Sequence, residues 1–250
     1  MPDRSDPFYV GYLPLPSALR PFVKVLIAIG VLGAVAMAGV LATGQKDPGP
    51  GQWDVSTTYS IEGHLSVNPY PLVFVEDPDS PFGTRAVILV GGMKFGADER
   101  AAPLAGSRVR AKGQFISREG RGLFELSGDD DALVAISDQS TPPAVDSLGE
   151  HSLAGEITDS KCFLGVMKPG SGKTHRACAV RCISGGIPPI FVTRDESGEA
   201  TIYLLTDSSG GAVNEAVLPY DAEPLDLTGR IARHGDLLVY AIDTERIVRR

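Results

Sequence analysis

A mainly β protein on a single N-terminal transmembrane helix is the fold class that this sequence predicts. After the helix come two small OB-like β-barrels, the second carrying a Cys/His helical insert. Three observations lead there. Residues 25–43 (VLIAIGVLGAVAMAGVLAT) run 19 positions without a charge. The remainder is short alternating apolar segments broken by turn residues, with 29 Gly and 19 Pro among 250 residues. All three Cys lie in one stretch of the second half.

The apolar run comes first in the chain. Nineteen residues are about the length needed to cross a bilayer as a helix, and a helix pairs its own amides where no water can. Arg20 and Lys24 stand just before the run, with Arg4 further upstream, while Lys46 stands alone beside Asp47 on the far side. The excess of positive charge before the span predicts a cytoplasmic N-terminal segment (1–24) and an extracytoplasmic bulk. In a bacterium this is a single-pass inner-membrane protein with a periplasmic domain, and the lipid bilayer is its first partner. A cleaved signal peptide is the competing reading, because Ala36-Met37-Ala38 has the small-x-small form. A buried core helix is the third. Residues 8–16 (FYVGYLPLP) place aromatics where a membrane interface would hold them, and their prolines exclude a long helix.

A polar Pro/Gly linker spans 44–52, and Pro142-Pro143 marks a second break. These bound two β domains, 53–140 and 147–250. Alternation predicts strands within 57–67, 86–90, 109–116 and 123–126 of the first. In the second it predicts them within 153–157, 190–193, 201–205, 225–231 and 237–242. The halves align with each other. Residues 59–65 (YSIEGHL) match 151–157 (HSLAGEI), and 109–115 (VRAKGQF) match 225–231 (LDLTGRI). A turn at Gly120 or Gly235 then leads to another apolar strand. A Gly inside a strand suits the sharp bends of a five-stranded barrel, so an internal repeat is expected. Gly63 and Gly113 are 50 positions apart, Gly155 and Gly229 are 74. The difference matches the segment 161–186, which holds every Cys.

Within that insert, residues 174–184 predict a short helix, with Thr174 as cap and Gly185-Gly186 as stop. On it, His175, Cys178 and Cys182 share one face at i, i+3 and i+7. Cys162 would come from the end of the preceding strand. Three chemistries fit these residue types. The first is a disulfide that leaves one Cys free, favoured by export. The second is a metal site of Cys162, His175, Cys178 and Cys182, with thiolates suited to Zn2+ or Cu+ and Met167 as a further soft donor. The third is a thiol-redox, haem or iron–sulfur role, against which stand the missing Cys-x-x-Cys-His and the missing fourth Cys. Lys161, Lys173, Arg176 and Arg181 surround the thiols and would favour thiolates.

Other features are weaker. Residues 170–174 (GSGKT) imitate the end of a phosphate-binding loop, but Met167 stands where that loop needs Gly. Asp129-Asp130-Asp131 reads as a solvated turn rather than a Ca2+ site. Lys94, in a Gly-flanked segment, reads as part of a hairpin turn rather than a ligand contact. His64, His151 and His234 are isolated. A net charge of −8 excludes a nucleic-acid partner. No nucleophile–base set or carboxylate pair stands out, so the sequence makes no case for an enzyme.

The run from Gly155 to Pro189, with its Asp159-x-Lys161-Cys162 and His175-Arg176-x-Cys178-Ala179-x-Arg181-Cys182-Ile183-x-Gly185-Gly186-Ile187-Pro188-Pro189, resembles a family of uncharacterised bacterial membrane-anchored proteins. Residues 9–14 (YVGYLP) are similar to the N-termini of that family. The second half also resembles shorter secreted bacterial domains with an Asp-x-x-Cys and a later Cys-x3-Cys. These resemblances imply the architecture and mark the Cys/His run as the site. They imply no reaction. The functional expectation is an accessory protein or subunit of a membrane respiratory or redox system, partnered by other membrane subunits. A structural module braced by a disulfide, or a thiol–disulfide protein, is the alternative.

Overall fold

A computed structural model describes residues 15–44, 51–118, 121–137 and 140–250. The aromatic segment 8–14, Arg4, most of the 44–52 linker with Lys46 and Asp47, and the turn at Gly120 lie outside these residues. The chain divides into two compact units, before and after Pro48.

The first unit holds α1 (Arg20–Gly44), a helix of 25 residues with no buried residue. It extends five residues N-terminal to the expected span. It is long and apolar enough to cross a membrane, as an anchor or as a signal sequence. The absence of any buried residue on it sets aside the core-helix reading.

The second unit is mainly β. Its first half contains β1 (Gly51–Trp53), β2 (Tyr59–Ser66), β3 (Leu72–Glu76), β4 (Thr84–Val90), the one-turn α2 (Asp98–Ala101), β5 (Arg108–Arg118), β6 (Arg121–Leu126) and β7 (Leu133–Ser137). Strand pairing runs β5-β2-β3-β4-β6, and β6 returns to β5, so five strands close into a barrel. All these pairs are antiparallel except β4 with β6. Alternation shapes the barrel wall: Ile61, Gly63 and Leu65 of β2 point inward between partly exposed neighbours.

The second half contains β8 (Val145–Asp159), α3 (Ser160–Leu164), α4 (Arg176–Ser184), β9 (Pro189–Arg194), β10 (Ala200–Asp207), α5 (Asn214–Val217), β11 (Pro224–His234), β12 (Leu237–Ile242) and β13 (Val248–Arg249). β8 pairs with β9 and β11, β9 with β10, and β12 with β10 in parallel and with β11 antiparallel. The aligned repeats occupy matching registers. Tyr59 faces Gly113 and Gly63 faces Val109. In the second half, His151 faces Gly229 and Gly155 faces Leu225. A Cβ on Gly113 would overlap the Glu125 carbonyl, and one on Gly229 the Ala241 carbonyl. The repeated Gly therefore marks where the next strand crosses too closely for any side chain.

Each expected strand segment falls within an observed strand, except that 57–67 overruns β2 by two residues at its start and one at its end. β1, β3, β7 and β13 were not expected. β3 (LVFVE) is a continuous apolar run between Pro71 and Pro residues downstream, without the alternation that marks a half-exposed strand. β8 starts earlier than expected, absorbing Val145 and Asp146 of the second break.

One apolar cluster joins the halves. Leu72, Phe74, Ala86, Ile88 and Val90 of the first pack with Ile190, Val192, Leu204 and Val239 of the second. Val87 and Leu89 point the other way, into the first interior, and Phe191 into the second. Both faces of β4 and β9 are thus covered, which is why these strands read as unbroken apolar runs. Phe163, Leu164 and Cys182 of the insert complete the joint cluster.

Candidate metal or thiol centre

The insert between β8 and β9 places the cysteines. Asp159 ends β8 and caps α3: its Oδ1 accepts the Cys162 amide at 2.8 Å. This satisfies one of the donors a helix start leaves free, and it fixes Cys162 on the first turn of α3 rather than on the strand end. α4 begins at Arg176, with His175 at its cap position and no side-chain cap bond, so Thr174 does not cap it as expected. The turn Gly185-Gly186 ends it, Gly186 having φ +94°. Gly185 is required there for another reason, since a Cβ would overlap the Lys94 carbonyl.

The three thiols converge. Cys162 Sγ lies 3.7 Å from Cys178 Sγ and 3.9 Å from Cys182 Sγ, and no pair is bonded. All three sulfurs lie within 4.8 Å of one another. Cys182 is buried, while Cys162 and Cys178 are partly exposed.

The expected four residues fall into two donor groups that overlap at Cys162. Among the described residues, His175 belongs to a different group of donor atoms, with Asp159 and Cys162. Its Nε2 meets Asp159 Oδ2 at 2.9 Å, and both side chains are buried. A buried carboxylate needs partners, and Asp159 finds them in the Cys162 amide and the imidazole. His175 therefore orients the residue that caps Cys162, and its donor atom lies within 4.8 Å of the Cys162 sulfur that the three-sulfur group shares. Met167 lies on an exposed turn after α3.

Lys94 reaches the sulfurs from the first half. Its Nζ donates to Cys178 Sγ at 2.8 Å and to Cys182 Sγ at 3.3 Å. The loop that carries it follows β4 and is held at both ends. The Gly96 amide donates to the Gly185 carbonyl at 2.9 Å. Lys161 Nζ donates to the carbonyls of Gly91 at 2.9 Å and Met93 at 2.8 Å, and forms an ion pair with Glu125. Met93 adopts φ +57° within this loop. Its side chain and that of Phe95 are exposed on either side of Lys94.

Charge and contact move the thiols apart. The Cys162 thiol and, after it, the Lys94 ammonium hold Cys182 down, to about 7. The same pairing with Cys182, then burial, pushes Cys162 up. The hydrogen bond to Cys178 raises Lys94 and keeps it an ammonium. The arrangement thus favours thiolate at Cys182, the form that binds metals and attacks disulfides.

A second buried group lies close by. Asp221 is fully buried, and neither carboxylate oxygen has a hydrogen-bond partner among the described residues. Burial, then the charge of Asp159, pushes it up to about 7.

Lys94 was visible in the sequence as a Gly-flanked cation but not as a neighbour of the thiols. Asp159 was visible as the first residue of the motif, and its three-residue spacing to Cys162 is the mark of a cap. Nothing local signalled Asp221. His64, His151 and His234 lie on strands. No family model, no curated protein and no solved structure matches this chain.

Proposed function

We propose that the chain is a membrane-anchored extracytoplasmic protein that holds a soft metal ion, Zn2+ or Cu+, at Cys162, Cys178 and Cys182. It serves as an accessory protein or subunit of a membrane respiratory or redox system in a bacterial inner membrane. The convergence of three unbonded sulfurs carries this reading. With metal–sulfur bonds of about 2.3 Å, a tetrahedral edge is about 3.8 Å and a trigonal edge about 4.0 Å. The separations of 3.7 and 3.9 Å fall beside both.

Other features support it. α1 suits an anchor, with the N-terminus inside by the charges that flank it. We read both halves as OB-like barrels. The order of pairing, the parallel pair β4–β6 echoed by β10–β12, and the one-turn helices α2 and α5 at matching places all favour a duplicated barrel. The insert then departs from the repeat, as functional loops on a rigid scaffold do. We read the motif from Gly155 to Pro189 as the mark of a family built this way.

The test is metal analysis of the full chain, purified in detergent under reductant. We expect about one equivalent of metal per chain, whose removal frees three thiols to titration. Clearly substoichiometric metal, with Cys178→Ala leaving thiol reactivity at the other two Cys unchanged, would refute it. A second reading rests on Cys182, held as a thiolate beside Cys162: a thiol–disulfide exchange centre. It requires a reduction potential above the range of inert structural disulfides.

A further inference from the structure

We infer that Lys94 makes the cluster a three-coordinate site selective for Cu+ over Zn2+. This rests on the soft-metal reading of Cys162, Cys178 and Cys182 and adds the identity of the ion.

The argument starts from what Zn2+ requires. A structural Zn2+ site takes four protein ligands in a tetrahedron. Here the sulfurs supply three. Among the described His, Cys, Asp and Glu residues, the donor group that contains all three sulfurs contains nothing else. The nearest other candidates are engaged with each other: His175 Nε2 with Asp159 Oδ2, and Asp159 Oδ1 with the Cys162 amide. With Nε2 held by Asp159, His175 has only Nδ1 to offer a metal, and among the described residues no donor group joins it to Cys178 or Cys182.

The cation beside the cluster is then decisive. Lys94 Nζ stands 2.8 Å from one sulfur and 3.3 Å from another. An ammonium carries three donors and no lone pair, so it cannot be the fourth ligand. Its charge opposes a divalent ion twice as strongly as a monovalent one at the same place. It also hydrogen-bonds two of the sulfurs, which lowers the negative charge they present to a metal. Cu+ needs no fourth ligand and prefers soft thiolates. Lys161 keeps Lys94 in place by holding the carbonyls of Gly91 and Met93, so the geometry does not depend on a free side chain.

The experiment loads the full chain in detergent, without oxygen, with Cu+ from a buffered chelator and with Zn2+, separately and in competition. X-ray absorption at the metal counts the ligands. We expect about one Cu+ per chain with three sulfur neighbours and no nitrogen or oxygen neighbour. Lys94→Met should lower the Cu+ preference over Zn2+ at least about tenfold, and Lys94→Arg should retain it, which separates charge from fold. Zn2+ bound in preference to Cu+ with four ligands overturns this inference and leaves the metal site standing. Neither ion bound, with three freely titrating thiols, overturns both.

Discussion

Lys94 Nζ lies 2.8 Å from Cys178 Sγ across 84 positions of sequence. The cation and the thiol belong to different halves of the repeat, which meet over one shared apolar cluster. The candidate centre is therefore composite: the second half supplies the sulfurs and the first supplies the charge.

The two α4 cysteines should separate metal binding from packing. Cys182 is buried in the shared cluster, whereas Cys178 is partly exposed and packs against its edge. Cys182→Ala should cost about 1–2 kcal/mol from the cavity it leaves, and Cys178→Ala less than about 1 kcal/mol. Both should abolish metal binding. Urea unfolding of metal-free protein measures the first, and metal analysis the second.

Asp159 both caps α3 and pairs with His175. Asp159→Ala should cost about 1 kcal/mol for the cap and about 1–3 kcal/mol for the stranded imidazole. His175→Ala should strand the carboxylate in turn. Because each single change carries part of the same loss, the double variant should be less destabilised than the sum of the singles. A denaturation cycle on the four proteins checks this.

Lys161 and Glu125 form an ion pair that is almost wholly buried. Lys161→Met should cost about 3–5 kcal/mol by leaving Glu125 charged and unpaired. It should also loosen the loop that carries Lys94. Adding Glu125→Gln should recover part of the stability without restoring the loop. Unfolding midpoints report the first effect, and hydrogen exchange at residues 91–96 reports the second.

Gly113 and Gly229 hold equivalent registers against a crossing carbonyl. Alanine at either should cost roughly 3 kcal/mol or more, since backbone rather than a flexible side chain must move. Gly30, Gly33 and Gly39 of α1 meet nothing within 4 Å, and alanine there should leave the second unit unchanged. Thermal unfolding of the five variants tests the contrast.

Asp221 should give stability a particular pH slope. Its carboxyl is pushed up from 3.8 to about 7 in the folded chain. Between these values the folded state keeps a proton that the unfolded state has released. Stability from this group is therefore undiminished below about pH 4 and falls as pH rises toward about 7. At about 1.4 kcal/mol per unit the full loss is up to about 4 kcal/mol. Asp221→Asn should remove that slope, so its advantage over the natural chain should grow with pH. An Asn variant whose stability tracks the natural chain at every pH would exclude the shift.

What could be read in order along the chain was what local pattern encodes. An uncharged run of helical length marks α1. Alternation marks the half-exposed strands, and Gly63, Gly113, Gly155 and Gly229 mark the strand crossings. The Cys spacing marks the insert. β1, β3, β7 and β13 were not singled out by their own short runs, although β4 and β9, covered on both faces like β3, were.

The sequence by itself determined the mainly β class, the apolar N-terminal helix and the place where chemistry concentrates. Each rests on interactions between residues close together in the chain. Only the tertiary structure decided that Lys94 meets the thiols, that His175 pairs with Asp159, and that Asp221 is buried with no hydrogen-bond partner among the described residues. Those facts depend on how β4, α4 and the turn before β11 come together around shared apolar surfaces. That packing is set by the barrel closure and by the joint cluster of both halves, and no local spacing encodes it.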